Sequence, residues 1–189
     1  MKNIAIFASG EGTNAQNIIN HFKTSSEVKV CLVLSNNKNA NVLKRASNSG
    51  VETLLINKDS FYNSEEVIKV LKEHKINLIV LAGFLWLIPK KLIAEFPNKI
   101  INIHPSLLPK FGGKGMYGAY VHEAVIKTKE QDSGITIHMV NEEYDKGKII
   151  LQEKCSVTKQ DTAESLAEKI HQLEMKYFPA TIEKILKSA

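Results

Sequence analysis

The sequence contains few cysteines and almost no arginine. Neither Cys31 nor Cys155 lies in a C-x-x-C pair or near a histidine at metal-ligand spacing, so neither a disulfide framework nor a metal site is predicted. This usage is typical of a reducing, cytoplasmic compartment. Only one of the 25 basic residues is an arginine, Arg45. Because arginine is the usual bidentate reader of guanine, no nucleic-acid partner is expected despite a net charge of +5.

Long apolar runs are also absent. The N-terminal run, residues 4–8, stops at Ser9 and Gly10 and is too short for the hydrophobic segment of a signal peptide. The longest run, residues 78–88, contains Gly83, whereas a helix that spans a bilayer needs about 20 apolar residues. The sequence therefore predicts no membrane partner.

The composition predicts one globular domain of the α/β class. Of the 189 residues, 43% are apolar and 24% are charged, which is ordinary for a chain that buries a single large core. Short β-branched runs alternate with segments of helical period, and this alternation favours a mainly parallel sheet flanked by helices. An antiparallel edge is predicted from the last two strands. The predicted strands lie near residues 3–8, 28–34, 53–56, 77–81, 100–104, 134–140 and 148–154.

Helix-capping signals predict where the helices begin and end. The first helix is expected over residues 13–22, and the second should end at Gly50 in a left-handed conformation. Asn63 and Glu66 have the spacing of a capping box for a third helix. Pro89 suits the first turn of a fourth helix.

The second half of the sequence is less regular. Prolines and glycines crowd residues 105–118, which predicts a long functional loop. Asp161 and Glu164 have capping-box spacing for a last helix, and Pro179 is expected to kink or divide that helix.

A glycine-rich segment follows the first predicted strand. Residues 9–14 read SGEGTN, and the free N–H groups of a helix that starts there would form an anion site suited to a phosphate. Gly10, Gly12 and Ala15 match G-x-G-x-x-A, but no acidic residue ends the second strand to hold a ribose. A tight turn without a ligand remains the alternative.

An amide and an imidazole end the fifth predicted strand. Asn102 and His104 are two residues apart and should project from one face, while Ile101 and Ile103 take the other. Ligands of open α/β sheets bind at the carboxyl ends of strands, and such a pair can hold a developing oxyanion. A hydrogen-bonded histidine that merely closes the strand remains the alternative.

A carboxylate at Asp145 is the third candidate. It lies two residues before Gly147, which is ordinary turn chemistry. If its loop folds toward His104, the carboxylate would favour the imidazolium and could order a water for proton transfer. His138 alternates with Thr136 on a strand face, where it could simply be packed.

Five stretches of the sequence form a recognisable set. They read IFASGEGTN (6–14), VLAGF (80–84), INIHPSLLPK (101–110), GITIHMV (134–140) and DKGKIILQ (145–152). Together they resemble the glycinamide ribonucleotide formyltransferase family, the folate-dependent enzymes of purine synthesis. The resemblance implies a Rossmann-like sheet and direct transfer of a formyl group from 10-formyltetrahydrofolate, without a metal, to the amine of glycinamide ribonucleotide. It also implies that Asn102, His104 and Asp145 are catalytic, with His104 protonated.

The resemblance also implies binding residues. The substrate phosphate maps onto Gly12, Thr13 and Asn14, and its glycinamide onto Gly83 and Glu174. His171 stands where the family often has glutamine. A core role remains the alternative for two of the residues implied to bind folate, Leu85 and Ile88. The full folate set is Leu85, Trp86, Leu87, Ile88, Val140, Asn141 and Asp145.

The domain expected from this resemblance is one formyltransferase domain over 1–189, with a nucleotide-binding half at about 1–100 and a folate and catalytic half at about 101–189. Initiator-tRNA formyltransferases carry an additional C-terminal domain, and formyltetrahydrofolate hydrolases usually carry an N-terminal one. Where this chain starts and ends favours neither. A hydrolase and a non-enzymatic nucleotide-binding module stay open as alternatives.

The expected partners are small molecules. The net positive charge would steer an anionic phosphate and a polyglutamyl folate. The expected oligomeric state is a monomer or a homodimer.

Overall fold

One seven-stranded sheet runs through the protein. The computed structural model describes residues 1–188. The strand order is β3-β2-β1-β4-β5-β6-β7; β1 to β5 are parallel, whereas β6 is antiparallel to β5 and to β7. The predicted fold class is confirmed, including its antiparallel edge. The strands are β1 (Lys2–Phe7), β2 (Val28–Ser35), β3 (Glu52–Leu55), β4 (Ile76–Leu81), β5 (Ile100–His104), β6 (Asp132–Met139) and β7 (Ile149–Ser156).

Helices cover both faces of this sheet. Side chains of successive strand residues point to opposite faces, so Ile4 and Ile6 of β1 pack into one apolar cluster and Phe7 into another. The first cluster includes residues of α1, α2 and α7, and the second includes residues of α3, α4 and α5. The helices are α1 (Thr13–Phe22), α2 (Asn41–Asn48), α3 (Lys58–Tyr62), α4 (Glu66–Glu73), α5 (Lys90–Glu95), α6 (Ala119–Lys127) and α7 (Ala163–Lys187).

The strand order creates a crevice beside β1. The chain runs from β1 outward to β2 and β3 and then returns to the other side of β1 with β4. The segments that leave the carboxyl ends of β1 and β4 therefore diverge, and open α/β sheets bind ligands at such a switch point. The glycine-rich segment, residues 9–14, and residues 82–88 both lie there.

Two helix starts differ from the prediction in the N-terminal half. Asn63 caps the C-terminus of α3, not the start of a helix, and α4 begins at Glu66 without a side-chain cap. The capping box of this region is formed instead by Asn57 and Ser60 at the start of α3. Its formation brings Phe61 against the core, with its ring centre 6.4 Å from that of Phe7.

Pro89 lies one position earlier than predicted. It is the N-cap residue of α5, with an extended backbone, and the helix itself starts at Lys90. A proline fits there because its missing N–H is not needed at a helix start.

The start of α7 is displaced by one residue from the prediction. Thr162 accepts a hydrogen bond from the Ser165 backbone N–H, and the Ser165 hydroxyl accepts one from the Thr162 N–H. The predicted pair, Asp161 and Glu164, does not form the box. Asp161 instead accepts from the backbone N–H of Thr158 at 2.7 Å.

Pro179 does not divide α7, which runs unbroken from Ala163 to Lys187. A proline cannot donate to the carbonyl four residues before it, which here belongs to Met175. The side chain of Asn17 on α1 donates to that carbonyl at 2.8 Å. A neighbouring helix thus satisfies the acceptor that Pro179 leaves free.

The segment after β5 contains a helix that the sequence pattern does not predict. Residues 119–127 form α6, whose buried face is Val121, His122 and Val125. No helix within residues 1–188 is long and apolar enough to cross a membrane.

Candidate active site

A cavity of about 690 Å³ occupies the crevice at the carboxyl ends of β1, β4 and β5. Residues from both halves of the chain form its wall, together with the glycine-rich segment and the loop before α6. Every residue that the sequence predicts as a site residue lines it. These are Gly12, Thr13, Asn14, Gly83, Leu85, Trp86, Leu87, Ile88, Asn102, His104, Val140, Asn141, Asp145 and Glu174.

The glycine-rich segment presents the start of α1 to the cavity. Gly12 is the N-cap residue in a left-handed conformation with φ 73°, and no side chain caps the helix. A Cβ atom at Gly12 would lie 2.5 Å from the Cβ of Val42 on α2, so only glycine fits. The first turn of α1 contains no acidic residue. Its unbonded N–H groups are therefore available to an anion.

Glu11 also lies within this segment and lines the cavity. The Asn41 side-chain amide donates to both of its carboxylate oxygens, at 2.9 and 3.0 Å. Arg45 donates from Nε to the Glu11 backbone carbonyl at 2.8 Å. These bonds from α2 hold both the backbone and the side chain of Glu11 in place.

The end of β5 brings an amide and two imidazoles together. Asn102 is paired with His138 of β6 in the antiparallel register, and His104 with Thr136. The side-chain nitrogen of Asn102 lies 3.1 Å from Nε2 of His138 and 3.3 Å from Oδ1 of Asp145. The other ring nitrogen of His138, Nδ1, donates to the Met139 carbonyl at 2.8 Å, so Nε2 is the nitrogen that faces Asn102 and Asp145.

His104 is buried, with 4% of its surface exposed. Its Nε2 donates to the backbone carbonyl of Phe111 at 2.7 Å, and its Nδ1 lies 3.5 Å from Oδ2 of Asp145. Burial lowers the pKa of His104 below its ordinary value, although the charge of Asp145 and the Phe111 carbonyl both act to raise it. Asp145 thus favours the imidazolium of His104, as expected, but the effect of burial on the His104 pKa is larger.

Asp145 reaches the cluster from the turn after β6. Its backbone is left-handed, with φ 56°, and its Oδ2 accepts the backbone N–H of Gly113 at 2.9 Å. Burial raises the pKa of this carboxyl, but His138, His104 and the Gly113 N–H together hold the pKa below its ordinary value. Asp145 thus lies in a turn, as the alternative interpretation expects, and the conformation of this turn directs its carboxylate into the cavity.

The segment after β4 forms the apolar wall of the cavity. The Ser9 hydroxyl accepts the Leu85 N–H at 3.0 Å, and the Tyr62 hydroxyl donates to the Leu87 carbonyl at 3.0 Å. Leu85 is 47% exposed, whereas Ile88 is only 3% exposed and belongs to the core. The core alternative therefore holds for Ile88, which also lines the cavity, and not for Leu85.

Glu174 closes the wall between the glycine-rich segment and His104. Its Oε2 accepts the side-chain N–H of Asn14 at 2.8 Å, and His171, one turn earlier on α7, approaches the same oxygen with Nδ1 at 3.6 Å. The other side-chain atom of Asn14, Oδ1, is buried without a hydrogen-bond partner. The cavity thus has an acceptor-rich end beside its anion site.

The described residues, 1–188, contain no cluster of three or more histidine, cysteine, aspartate or glutamate side chains that could hold a metal ion.

Comparison with known proteins identifies the family of this chain. A family model described as formyl transferase matches residues 2–182. The chain belongs to the formyl transferase family. The resemblance that the sequence motifs indicate is therefore confirmed over nearly the whole chain.

Individual formyl transferases agree with this assignment. A chloroplastic phosphoribosylglycinamide formyltransferase of Arabidopsis thaliana is 39% identical over 183 residues, which is 94% of this chain and 63% of the relative. The chain thus spans less than two thirds of this plant relative. The phosphoribosylglycinamide formyltransferase of Bacillus subtilis is 35% identical over 98% of this chain and 95% of its own length. A crystal structure of the enzyme of that name from Anaplasma phagocytophilum superposes with a TM-score of 0.89 at 35% identity, covering 99% of this chain and 88% of that one.

The sequence patterns do not reveal several polar groups of this cavity. His138 contacts both Asn102 and Asp145 and is not merely packed. The alternation of His138 with Thr136 on one strand face is the one local pattern that points to a role for His138. This pattern places His138 beside Asn102 only once the β5–β6 register is known. The Phe111 carbonyl and the Gly113 N–H are backbone groups, which no residue pattern reveals.

Proposed function

We propose that this chain transfers a formyl group from 10-formyltetrahydrofolate to the amine of glycinamide ribonucleotide, a reaction of purine biosynthesis. One observation supports this most directly. The Asn102, His104 and Asp145 cluster lies in one cavity, between an anion site at the start of α1 and an apolar wall after β4. That arrangement suits a phosphorylated amine at one end and an aromatic pterin at the other.

The two ligands suit different ends of the cavity. The free N–H groups of residues 13 and 14 suit the phosphate, with Gly12 permitting the turn. Glu174 and the Gly83 turn lie beside the path to His104 and suit the glycinamide portion. The folate suits the wall formed by residues 85–88 and 140–145, where Trp86 lies among the aromatic rings of Phe61, Tyr62 and Phe84.

In the proposed reaction, Asn102 and His104 donate hydrogen bonds to the oxygen that becomes negatively charged as the amine adds to the formyl carbon. The folate supplies the formyl group. The bond between the formyl carbon and the folate nitrogen then breaks, and one proton of the amine is delivered to that nitrogen. Asp145 orders the water through which this proton moves, so no covalent intermediate with the protein is required.

The hydrogen bonds of the cluster define what the ligands must displace. Nε2 of His104 is engaged by the Phe111 carbonyl, and the amide hydrogens of Asn102 are directed at His138 and Asp145. A charged oxygen is a better acceptor than a backbone carbonyl or an imidazole nitrogen. The formyl oxygen, which becomes charged in the reaction, is therefore expected to replace the Phe111 carbonyl and the His138 nitrogen as partners of His104 and Asn102.

The experiment is to incubate the protein with 10-formyltetrahydrofolate, with and without glycinamide ribonucleotide, and to measure loss of the formyl group and formation of the formylated amine. We expect deformylation only with the amine present, and one product formed for each formyl group lost. Asn102→Ala should abolish most of this turnover, whereas the exposed Asn48→Ala on α2 should not.

Two outcomes would contradict the proposal. Loss of the formyl group without the amine indicates a hydrolase. Binding of either ligand with no transfer under any condition indicates a nucleotide-binding module without this chemistry.

A further inference from the structure

His171 is a titratable side chain of the cavity that the proposed reaction does not use. It lies on α7, one turn before Glu174, and approaches that carboxylate with Nδ1 3.6 Å from Oε2. Its side chain is 43% exposed, whereas that of Glu174 is only 14% exposed. A charge at the mouth of the cavity is therefore coupled to a largely buried carboxylate inside it.

Glu174 has few other partners that could neutralise it. Asn14 donates one neutral N–H to Oε2 at 2.8 Å. The two histidines that face Glu174 from other elements, His122 on α6 and His104 on β5, are buried, and burial lowers the pKa of each. Among the titratable groups that interact with Glu174, His171 is the one whose pKa is raised, chiefly by the nearby Glu174 carboxylate.

We propose that His171 is a positioning residue that acts through Glu174 and makes recognition of the acceptor amine depend on pH. The inference rests on the proposed function in one respect, that the amine approaches Glu174. An α-amino group has a pKa of about 7.7–8.0, so much of the acceptor is an ammonium ion at neutral pH. An unpaired Glu174 attracts this cation, whereas a Glu174 paired with the imidazolium of His171 attracts it less.

The sign of the effect follows from this competition. When the pH falls through the pKa of His171, the imidazolium forms, pairs with Glu174 and weakens binding of the amine. A half-exposed ion pair is worth little, so the expected change in affinity is about two- to fivefold. Because His171 does not contact the formyl group, turnover at saturating amine should not change.

The test measures the dissociation constant of glycinamide ribonucleotide by calorimetry at pH 6 and pH 8.5. The proteins compared are the wild type, His171→Gln, which stays neutral, and His171→Lys, which stays charged. His21→Gln is the matched control, since His21 also pairs with a glutamate of α7, Glu183, at 3.3 Å, but does not line the cavity. Thermal unfolding confirms that each variant is folded.

We expect the ratio of the wild-type dissociation constant to that of His171→Gln to be about one at pH 8.5 and about two to five at pH 6. The dissociation constant of His171→Lys should exceed that of His171→Gln at both pH values, and the ratio of the wild-type constant to that of His21→Gln should stay at one. Two buffers of different ionisation enthalpy should show that the wild type releases more protons on binding at pH 6 than His171→Gln does.

A ratio that does not change with pH overturns the inference, whether or not transfer is observed. Formyl transfer is measured separately with the same variants: a pH-dependent affinity ratio without transfer would contradict the proposed function and leave this inference standing. Absence of any binding overturns both.

Discussion

The backbone carbonyl of Phe111 accepts the Nε2 proton of His104 at 2.7 Å. The loop between β5 and α6 thus binds the imidazole that ends β5, while Gly113 of the same loop donates to Asp145 at 2.9 Å. The loop therefore holds the side chains of both His104 and Asp145 in place. Its glycines with positive φ, Gly113, Gly115 and Gly118, permit backbone conformations that other residues rarely adopt.

The first prediction concerns the two side chains that we propose as oxyanion donors. Asn102→Ala and His104→Ala should each lower kcat by about 10²–10³, because removing one such donor generally costs that much. Both variants should remain folded, since neither side chain belongs to the apolar clusters. Steady-state kinetics and circular dichroism measure the two effects separately. A kcat within a factor of a few of the wild type would contradict the assigned role.

The second prediction concerns Asp145→Asn. Asparagine is tolerated in the left-handed conformation that Asp145 adopts at φ 56°, so the turn should be preserved while the charge is lost. Asp145 raises the pKa of His104 against the effect of burial; its removal should lower that pKa further. An NMR titration of the His104 ring measures this, and an unchanged or higher pKa would show that the two groups are not coupled.

The third prediction compares two glycines of the glycine-rich segment, residues 9–14. Gly12→Ala should destabilise the protein by about 1–3 kcal/mol and weaken phosphate binding, because the position is left-handed and its Cβ would meet Val42 at 2.5 Å. Gly10→Ala is the control, since its Cβ would meet nothing within 4 Å. Urea unfolding measures the stability of the two variants. Equal stability of the two variants would contradict the packing argument.

The fourth prediction concerns stability at acid pH. Burial lowers the pKa values of His104 and His122, so the unfolded chain binds more protons than the folded protein just below the ordinary histidine pKa of 6.5. The contribution of these two histidines to the unfolding free energy should therefore fall as the pH drops from 7.5 to 5.5, and His122→Gln should remove part of this fall.

His74 provides the opposite case. Its hydrogen bond to Glu52 raises its pKa, so it contributes stability below pH 6.5 that is lost as the pH rises through the folded pKa. His74→Gln should thus steepen the loss of stability on acidification. If the two glutamine variants changed the slope in the same direction, the assigned pKa shifts would be wrong.

Much of the fold could be predicted because it depends on local periodicity. Asn102 and His104 share a strand face since side chains alternate, and the apolar partners Ile101 and Ile103 take the other face. The glycine-rich segment follows β1 directly, so the position of the anion site was fixed by adjacency in the chain.

The remaining features depend on contacts between distant segments. The partner of Asn102 is His138 because of the register between β5 and β6, which no local pattern determines. Pro179 stays inside α7 because Asn17, from the first helix, satisfies the carbonyl of Met175. The true helix caps, such as Thr162, compete with neighbouring residues of similar capping ability.

The most direct test of the central claim is a crystal structure of the protein with glycinamide ribonucleotide and a stable analogue of the formyl donor. The account predicts that the analogue's formyl oxygen lies within hydrogen-bond distance of Asn102 Nδ2 and of His104, with His104 no longer bound to Phe111. A structure in which both ligands are bound, the formyl carbon lies far from Asn102 and His104, and the Phe111 carbonyl still holds the imidazole would contradict it.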